Sequence, residues 1–161
     1  MNPYLRIIVP FFLLVTFGFL SGCKDPVVYL SPVEQFEKDL TIIDDYLAKK
    51  GITPSIEPNS EIRYVIHNPG TGANPTATDK VNVTYKGQLI PSDEIFDQNT
   101  SGISFNLNNL ITAWQITIPL LKEGGSMTIY APSYYCYGPS GSGKIPANAC
   151  LTFDIGLIQI Q

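Results

Sequence analysis

The 161-residue sequence is poor in the side chains on which most enzyme active sites depend. It has one histidine, His67, three cysteines, and no HExxH zinc motif, phosphate-binding glycine loop or G-x-S-x-G nucleophile motif. His67 lies at the end of a predicted strand, where we expect it on the surface. Ten Lys and Arg residues are set against 14 Asp and Glu residues without any basic run, which argues against a nucleic-acid partner. We therefore expect no bound metal ion, cofactor or nucleic acid.

The N-terminal segment has the features of an export signal. Arg6 precedes 14 uncharged, mostly apolar residues from Ile7 to Leu20. As a helix they would span about 21 Å, short of the roughly 30 Å hydrocarbon core of a bilayer. Two small residues then precede Cys23, as in the lipobox of bacterial lipoproteins. We predict a signal peptide over residues 1–22 and acylation of Cys23; the alternative is an ordinary cleaved signal with an incidental thiol.

Cleavage after residue 22 would leave one domain-sized chain with a tether over residues 23–31. Its net charge would go from −4 to −5, since only Arg6 is lost. Attachment to a lipid bilayer would therefore depend on the acylated Cys23 rather than on a basic surface. Lys24 follows Cys23, and no aspartate is present there to indicate retention at an inner membrane. We expect a lipid-anchored protein of the cell envelope, at the outer membrane, on a face that the sequence leaves open.

An amphipathic helix is predicted over residues 32–50, within an N-terminal helix and linker segment of residues 32–57. Ser31 is a suitable N-cap, and Gly51 is a suitable end. Because its apolar stripe cannot remain in water, the helix should dock on the domain or on a second copy of the chain.

Alternating apolar residues in the remaining domain, residues 58–161, predict strands over 61–67, 81–89, 126–131 and 150–160. The alternation slips at Leu157-Ile158, which indicates a bulge. A helical pattern runs from Leu110 to Leu121, with Asn108 or Asn109 as the predicted cap. These patterns predict an α+β fold, in which an antiparallel sheet wraps around one short helix.

Four segments occur in an informative order: VNVTYKGQL, IFDQN, ISFNLNNLITAW and YYCYGPSGSGKIPANACLTFDIGL. Each is weak alone, but together they make residues 61–161 resemble the FKBP family of peptidyl-prolyl isomerases. The preceding DLTIIDDYLAKKGI resembles the N-terminal extension of exported bacterial members.

The resemblance implies roles for particular residues. Trp114 would form the floor of an apolar pocket, and the Ile111 N–H and Tyr137 hydroxyl would donate to substrate carbonyls. The implied catalytic set is Tyr85, Phe96, Asp97, Trp114, Tyr137 and Phe153. The implied substrate-binding set is Ile103, Leu110, Ile111 and Ile145, the last in a loop that closes over the ligand. Seen singly, each apolar member could equally be a core residue.

The function implied is isomerisation of X-Pro bonds in proline-containing segments of envelope proteins, without metal or cofactor and with inhibition by macrolides. Two alternatives remain: a binding or assembly module of the same fold with little turnover, and a structural lipoprotein. Cys136 and Cys150 flank the loop that contains Tyr137, and they could form one disulfide or remain free thiols.

Overall fold

The computed structural model describes residues 30–161, so the predicted signal peptide and Cys23 lie outside the described residues. The helices and strands of this part are, in chain order, α1 (Pro32–Lys50), β1 (Ser55–Ile56), β2 (Arg63–Asn68), β3 (Lys80–Leu89), β4 (Ile95–Asn106), α2 (Thr112–Thr117), β5 (Ser126–Ala131) and β6 (Leu151–Ile160). The strands form one antiparallel sheet in the order β1-β2-β5-β6-β3-β4. The predicted fold class is confirmed.

Helix α1 has the predicted bounds because its end signals are local. Ser31 Oγ accepts a hydrogen bond from the Glu34 N–H, and the Glu34 carboxylate accepts one from the Ser31 N–H. This capping box pairs amides that a helix start leaves without partners. Gly51 ends the helix in the left-handed conformation, at φ 65°.

The apolar stripe of α1 docks on the domain, which was the first of its two predicted docking places. Ile43, Tyr46 and Leu47 are buried in a cluster with Tyr130 and Cys150. This cluster is separate from the main core. Residues Ile129 and Tyr130 alternate along β5, so the first enters the main core while the second packs against α1. Helix α1 thus covers the outer face of the sheet.

The main core lies between the other face of the sheet and α2. Trp114 and Ile118 pack there against strand residues such as Val83 and Phe153. The predicted bulge is present, since Asn82 pairs with Gln159 while the next residue of β3 pairs with Leu157. Ile158 is the extra residue.

Strand β4 was not predicted. It is an edge strand paired only with β3 in the described sheet, and its polar middle section hides the alternation. Between Ile103 and Asn99 the register with β3 shifts, where Asn99 Oδ1 accepts hydrogen bonds from the Ser101 and Gly102 N–H groups. This polar bulge interrupts the period of two on which the prediction depends.

The predicted helix cap was wrong. Asn108 and Asn109 lie in a 3₁₀ turn, and Ile111 is the N-cap of α2. Leu110 and Ile111 are both extended, with ψ values of 171° and 149°. The burial of Leu107 in the core stabilises the separate turn. As a result two apolar residues lie just before α2, beside the cavity described next.

Candidate active site

A cavity of about 370 Å³ opens where β3, β4 and β6 meet the start of α2 and the loop after β5. Its lining is almost entirely aromatic and aliphatic: Tyr85, Phe96, Asp97, Ile103, Phe105, Leu110, Ile111, Trp114, Tyr137 and Phe153. Nine of the ten residues selected from the sequence are in this list. The structure therefore brings together side chains that are up to 68 positions apart, from Tyr85 to Phe153.

Trp114 is at the centre of the aromatic lining. Its ring centroid lies 5.4 Å from that of Tyr85, 5.4 Å from that of Phe153 and 6.4 Å from that of Phe105. All three pairs are edge-to-face, with interplanar angles of 73° to 87°. Such pairs stabilise a fixed arrangement of rings beyond the burial of their area. Trp114 is only 4% exposed, yet it still contributes to the cavity wall.

Gly87 on β3 makes room for one wall of the cavity. A Cβ atom at this position would lie 2.7 Å from Phe96 Cε2 and 3.1 Å from Phe153 Cε1. Without it, the Phe96 and Phe153 rings pack edge-to-face across the strand, with centroids 5.6 Å apart. The glycine of the VNVTYKGQL segment is thus explained by ring packing rather than by backbone conformation.

The polar groups of the cavity are few and lie on residues of its wall. The Tyr85 hydroxyl donates a 2.6 Å hydrogen bond to Asp97 Oδ2. Burial raises the pKa of Tyr85 to about 12, and the hydrogen bond to Asp97 adds to the increase. Burial also raises the pKa of Tyr137. Both phenols are therefore neutral donors at physiological pH.

Two donors are available to a ligand. Within residues 30–161, neither the Ile111 N–H nor the Tyr137 hydroxyl makes a hydrogen bond to protein. Both residues line the cavity. A third donor, Trp114 Nε1–H, is buried and has no partner in the described part of the chain.

The observed lining of the cavity differs from the predicted one at two residues, Ile145 and Phe105. Ile145 does not line the cavity; it is buried in the main core, and its N–H and carbonyl both bond to Ser142. Phe105 lines the cavity and was missed. Since residues two apart on a strand share a face, the selection of Ile103 could have identified Phe105 as well.

Three other hollows are larger but carry more charge, and a fourth is smaller and apolar. Volumes of about 500, 640 and 590 Å³ lie along α1, beside Lys50 and Asp93, and beside Lys86 and Asp154. Their charged lining suits water better than an apolar ligand.

The fourth hollow, of about 340 Å³, is lined by apolar and aromatic side chains that include the largely exposed Val33 and Tyr134. Size alone therefore does not identify the site; the cavity around Trp114 combines an apolar lining with a buried central residue. In the described range, no group of three or more His, Cys, Asp or Glu side chains could hold a metal ion.

Comparison with known proteins identifies the family. The model of the FKBP-type peptidyl-prolyl cis-trans isomerase family matches residues 72–158, more than half of the chain. The chain belongs to the FKBP family. The matched range contains all ten residues that line the cavity.

Curated FKBP relatives agree. The chain is 38% identical over 128 residues to the probable FKBP-type peptidyl-prolyl cis-trans isomerase FkpA of Neisseria meningitidis, covering 77% of this chain and 46% of the relative. It is 31% identical over 120 residues to FkpA of Escherichia coli K12, covering 73% and 43%. The chain thus spans less than half the length of these relatives.

Two solved structures have the same fold. A peptidyl-prolyl cis-trans isomerase from Pseudomonas syringae aligns with a TM-score of 0.68 at 29% identity, covering 83% of this chain and 98% of the other. FkpA from Escherichia coli aligns with a TM-score of 0.69 at 27% identity, covering 80% and 60%.

The loop of this FKBP domain that carries Tyr137 also carries a cysteine, Cys136, and Cys150 follows the loop. Both are free thiols in the structure, which is one of the two alternatives left open by the sequence. Burial raises the pKa of both thiols, so little reactive thiolate forms at neutral pH.

Proposed function

We propose that the chain catalyses cis–trans isomerisation of X-Pro bonds in polypeptides. The cavity lined by Trp114, within the range matched to the FKBP family, is the observation that supports this proposal most strongly. Its volume of about 370 Å³ is near the lower end of the roughly 300–1,000 Å³ found for small-molecule sites. A cavity of that size can enclose one ring of a polypeptide, or the matching part of a larger ligand.

Isomerisation of an X-Pro bond requires a lower barrier to rotation and breaks no covalent bond. Amide resonance opposes rotation by about 18–20 kcal/mol and places partial charges on the oxygen and nitrogen. Only X-Pro bonds have cis and trans forms of similar energy. At the twisted transition state resonance is lost and the amide is less polar. An apolar cavity therefore disfavours the planar ground state more than the twisted state, which accelerates rotation.

The available donors would hold the substrate in place. The proline ring would lie against Trp114, and the Ile111 N–H and the Tyr137 hydroxyl would each donate to a backbone carbonyl. Hydrogen bonds that hold the carbonyl groups while the proline ring stays in the cavity favour the twisted geometry of the X-Pro bond. Tyr85 keeps Asp97 in place at the wall by the 2.6 Å hydrogen bond. No step requires a proton transfer, which fits two tyrosines with raised pKa values.

A peptide assay separates an isomerase from a binding module of the same fold. Conversion of a blocked Ala-Leu-Pro-Phe peptide would be compared for wild type and for the double variant Trp114→Leu, Tyr137→Phe. We expect the double variant to lose nearly all acceleration. Equal rates for the two proteins would exclude catalysis in this cavity. Tight peptide binding without acceleration by wild type would instead favour a chaperone or assembly role.

Inhibition is a second consequence of the proposal. A macrolide that binds FKBP pockets should compete with the peptide and alter the fluorescence of Trp114, the only tryptophan of the chain. A macrolide that binds without displacing the peptide would contradict a shared site.

We further propose a lipid-anchored envelope protein with four segments: a signal peptide over 1–22, lipidated Cys23 and its tether to residue 31, helix and linker over 32–57, and the isomerase domain over 58–161. The support comes from the sequence of the first 24 residues alone. Among residues 30–161, no helix is long and apolar enough to cross a bilayer. Wild type should fractionate with the outer membrane and carry an acylated N-terminal peptide by mass spectrometry. Acyl-free wild type, or a Cys23→Ser variant that stays in the outer membrane, would refute lipid anchoring.

A further inference from the structure

Helix α1 has a buried charged residue, Asp39, that contacts the loop leading to the cavity. Asp39 is 0% exposed, although it lies on the helix that covers the outer face of the sheet. Its Oδ2 atom accepts hydrogen bonds of 2.8 Å from the Ser133 N–H and 2.5 Å from the Ser133 hydroxyl. Its Oδ1 atom accepts one of 2.6 Å from Gln35 Nε2. The buried carboxylate is thus satisfied mainly by one residue that lies 94 positions further along the chain.

The same residue also contacts the far end of that loop. The Cys150 thiol donates to the Asp39 carbonyl, with 3.7 Å between Sγ and O. Residues 132–149, here called the pocket loop, lie between β5 and β6. Asp39 therefore contacts residues at or next to both ends of the pocket loop. Tyr137, one of the two free donors of the cavity, lies within it.

The connection from Ser133 to Tyr137 is short and ordered by hydrogen bonds. Ser133 begins a 3₁₀ turn, in which the Cys136 N–H donates to the Ser133 carbonyl at 3.0 Å. Tyr137 is the next residue. Phe36 of α1 packs edge-to-face on Tyr135 of the same turn, with centroids 6.1 Å apart. A shift of Ser133 would be passed to Tyr137 through a single turn of chain.

A purely structural link would not need a buried charge. Leaving a carboxylate without partners in the interior costs several kcal/mol, and an apolar pair of similar volume often stabilises a fold as well or better. The carboxylate fixes the orientation of Ser133, because it accepts hydrogen bonds from both its N–H and its hydroxyl.

We infer that Asp39 is a positioning residue of the isomerase site, which acts through Ser133 to place the Tyr137 hydroxyl. The inference rests on the proposed function and assigns part of the catalytic unit to the N-terminal helix. Removal of Asp39 then weakens the contribution of Tyr137 specifically, beyond any general loss of stability.

A double-mutant cycle tests this coupling. It uses the full-length chain with Cys23→Ser, in detergent, and the blocked Ala-Leu-Pro-Phe peptide. In the chain that retains Asp39, Tyr137→Phe should lower kcat/KM about fivefold, which is the effect of one lost hydrogen bond. In the Asp39→Ala background, the same change should lower it less than twofold. An equal loss in both backgrounds would overturn the inference.

A matched control separates positioning from docking of the helix. Asp44 also joins α1 to the domain, through Arg63 on β2 at 2.9 Å, and both of its hydrogen bonds go to Arg63 rather than to the pocket loop. Asp44→Asn should lower the urea midpoint of unfolding. In the Asp44→Asn background, Tyr137→Phe should still lower kcat/KM about fivefold. If Asp44→Asn removes the effect of Tyr137→Phe as Asp39→Ala does, the role of Asp39 is only structural.

A milder variant keeps the test valid if Asp39→Ala fails to fold. Ser133→Ala removes one of the two hydrogen bonds to Asp39 and leaves the backbone bond in place. In the Ser133→Ala background, Tyr137→Phe should lower kcat/KM by a factor between its effect in wild type and its effect in Asp39→Ala. An effect equal to that in wild type would count against the inference. If wild type proves inactive, the proposed function falls. The cycle is then measured on peptide affinity from Trp114 fluorescence, with the same expected and contrary results.

Discussion

Gly87 offers a sharp test of how the cavity depends on its aromatic wall. In Gly87→Ala the new methyl group would lie 2.7 Å from Phe96 Cε2 and 3.1 Å from Phe153 Cε1, closer than carbon atoms normally approach. The strand is paired on both sides, so the backbone cannot easily withdraw. The Phe96 ring, which is half-buried, must therefore rotate away from Phe153. The edge-to-face contact between the two rings would be lost.

The expected size of the effect follows from that contact. An edge-to-face pair contributes about 0.5–1.5 kcal/mol beyond burial, and about 1.4 kcal/mol is tenfold in rate. We expect kcat/KM on a proline peptide to fall about three- to tenfold. Overpacking should also lower the free energy of unfolding by about 1–3 kcal/mol.

Gly156 on β6 provides the matched control. A Cβ there would lie 2.6 Å from the Thr84 Oγ1 atom, in the hollow on the outer face of the sheet and away from the cavity. Gly156→Ala should thus lower stability and leave kcat/KM unchanged. If Gly87→Ala keeps kcat/KM within twofold of wild type, or if both variants lower it equally, the reasoning about the wall is wrong.

Three further predictions concern titration, the helix cap and the thiols. Since the folded pKa of Tyr85 is about 12 and the unfolded value about 10, its contribution to stability is complete below pH 10 and is lost as pH rises toward 12. Between pH 10 and 12, urea unfolding should show a steeper loss of stability in wild type than in Tyr85→Phe. The kcat/KM of wild type should stay constant from pH 6 to 9. A change of kcat/KM with pH between 6 and 9 would imply proton transfer. Ser31→Ala removes the cap of α1 and should lower the free energy of unfolding by about 1 kcal/mol without changing kcat; an unchanged urea midpoint would contradict it. In the Cys23→Ser chain, Cys136 and Cys150 should react slowly with a thiol reagent when native and fully after unfolding without reductant; no reaction after unfolding would indicate a disulfide.

The sequence predicted well those features that depend on neighbouring residues. The bounds of α1 follow from Ser31, Glu34 and Gly51, which lie at the helix ends themselves. The bulge at Ile158 follows from a local break in alternation. The grouping of nine cavity residues came from the order of motifs, because an inherited fold fixes which strands are neighbours.

Features that depend on distant residues could not be predicted. The strand β4 pairs along one edge only, and the polar bulge at Asn99 masks its alternation. Ile145 lies in the predicted loop, yet it is buried in the main core and does not line the cavity. The burial of Asp39 depends on Ser133, 94 positions away, and no local pattern indicates that contact.

The most direct measurement of the central claim is prolyl-limited refolding of another protein. Wild-type chain should accelerate the slow phase in proportion to its concentration, because each encounter lowers the barrier of one X-Pro bond in the cavity. The variant with Leu in place of Trp114 and Phe in place of Tyr137 should leave that phase at its uncatalysed rate. A slow phase that is unaffected by wild type, or accelerated equally by both proteins, would contradict the account.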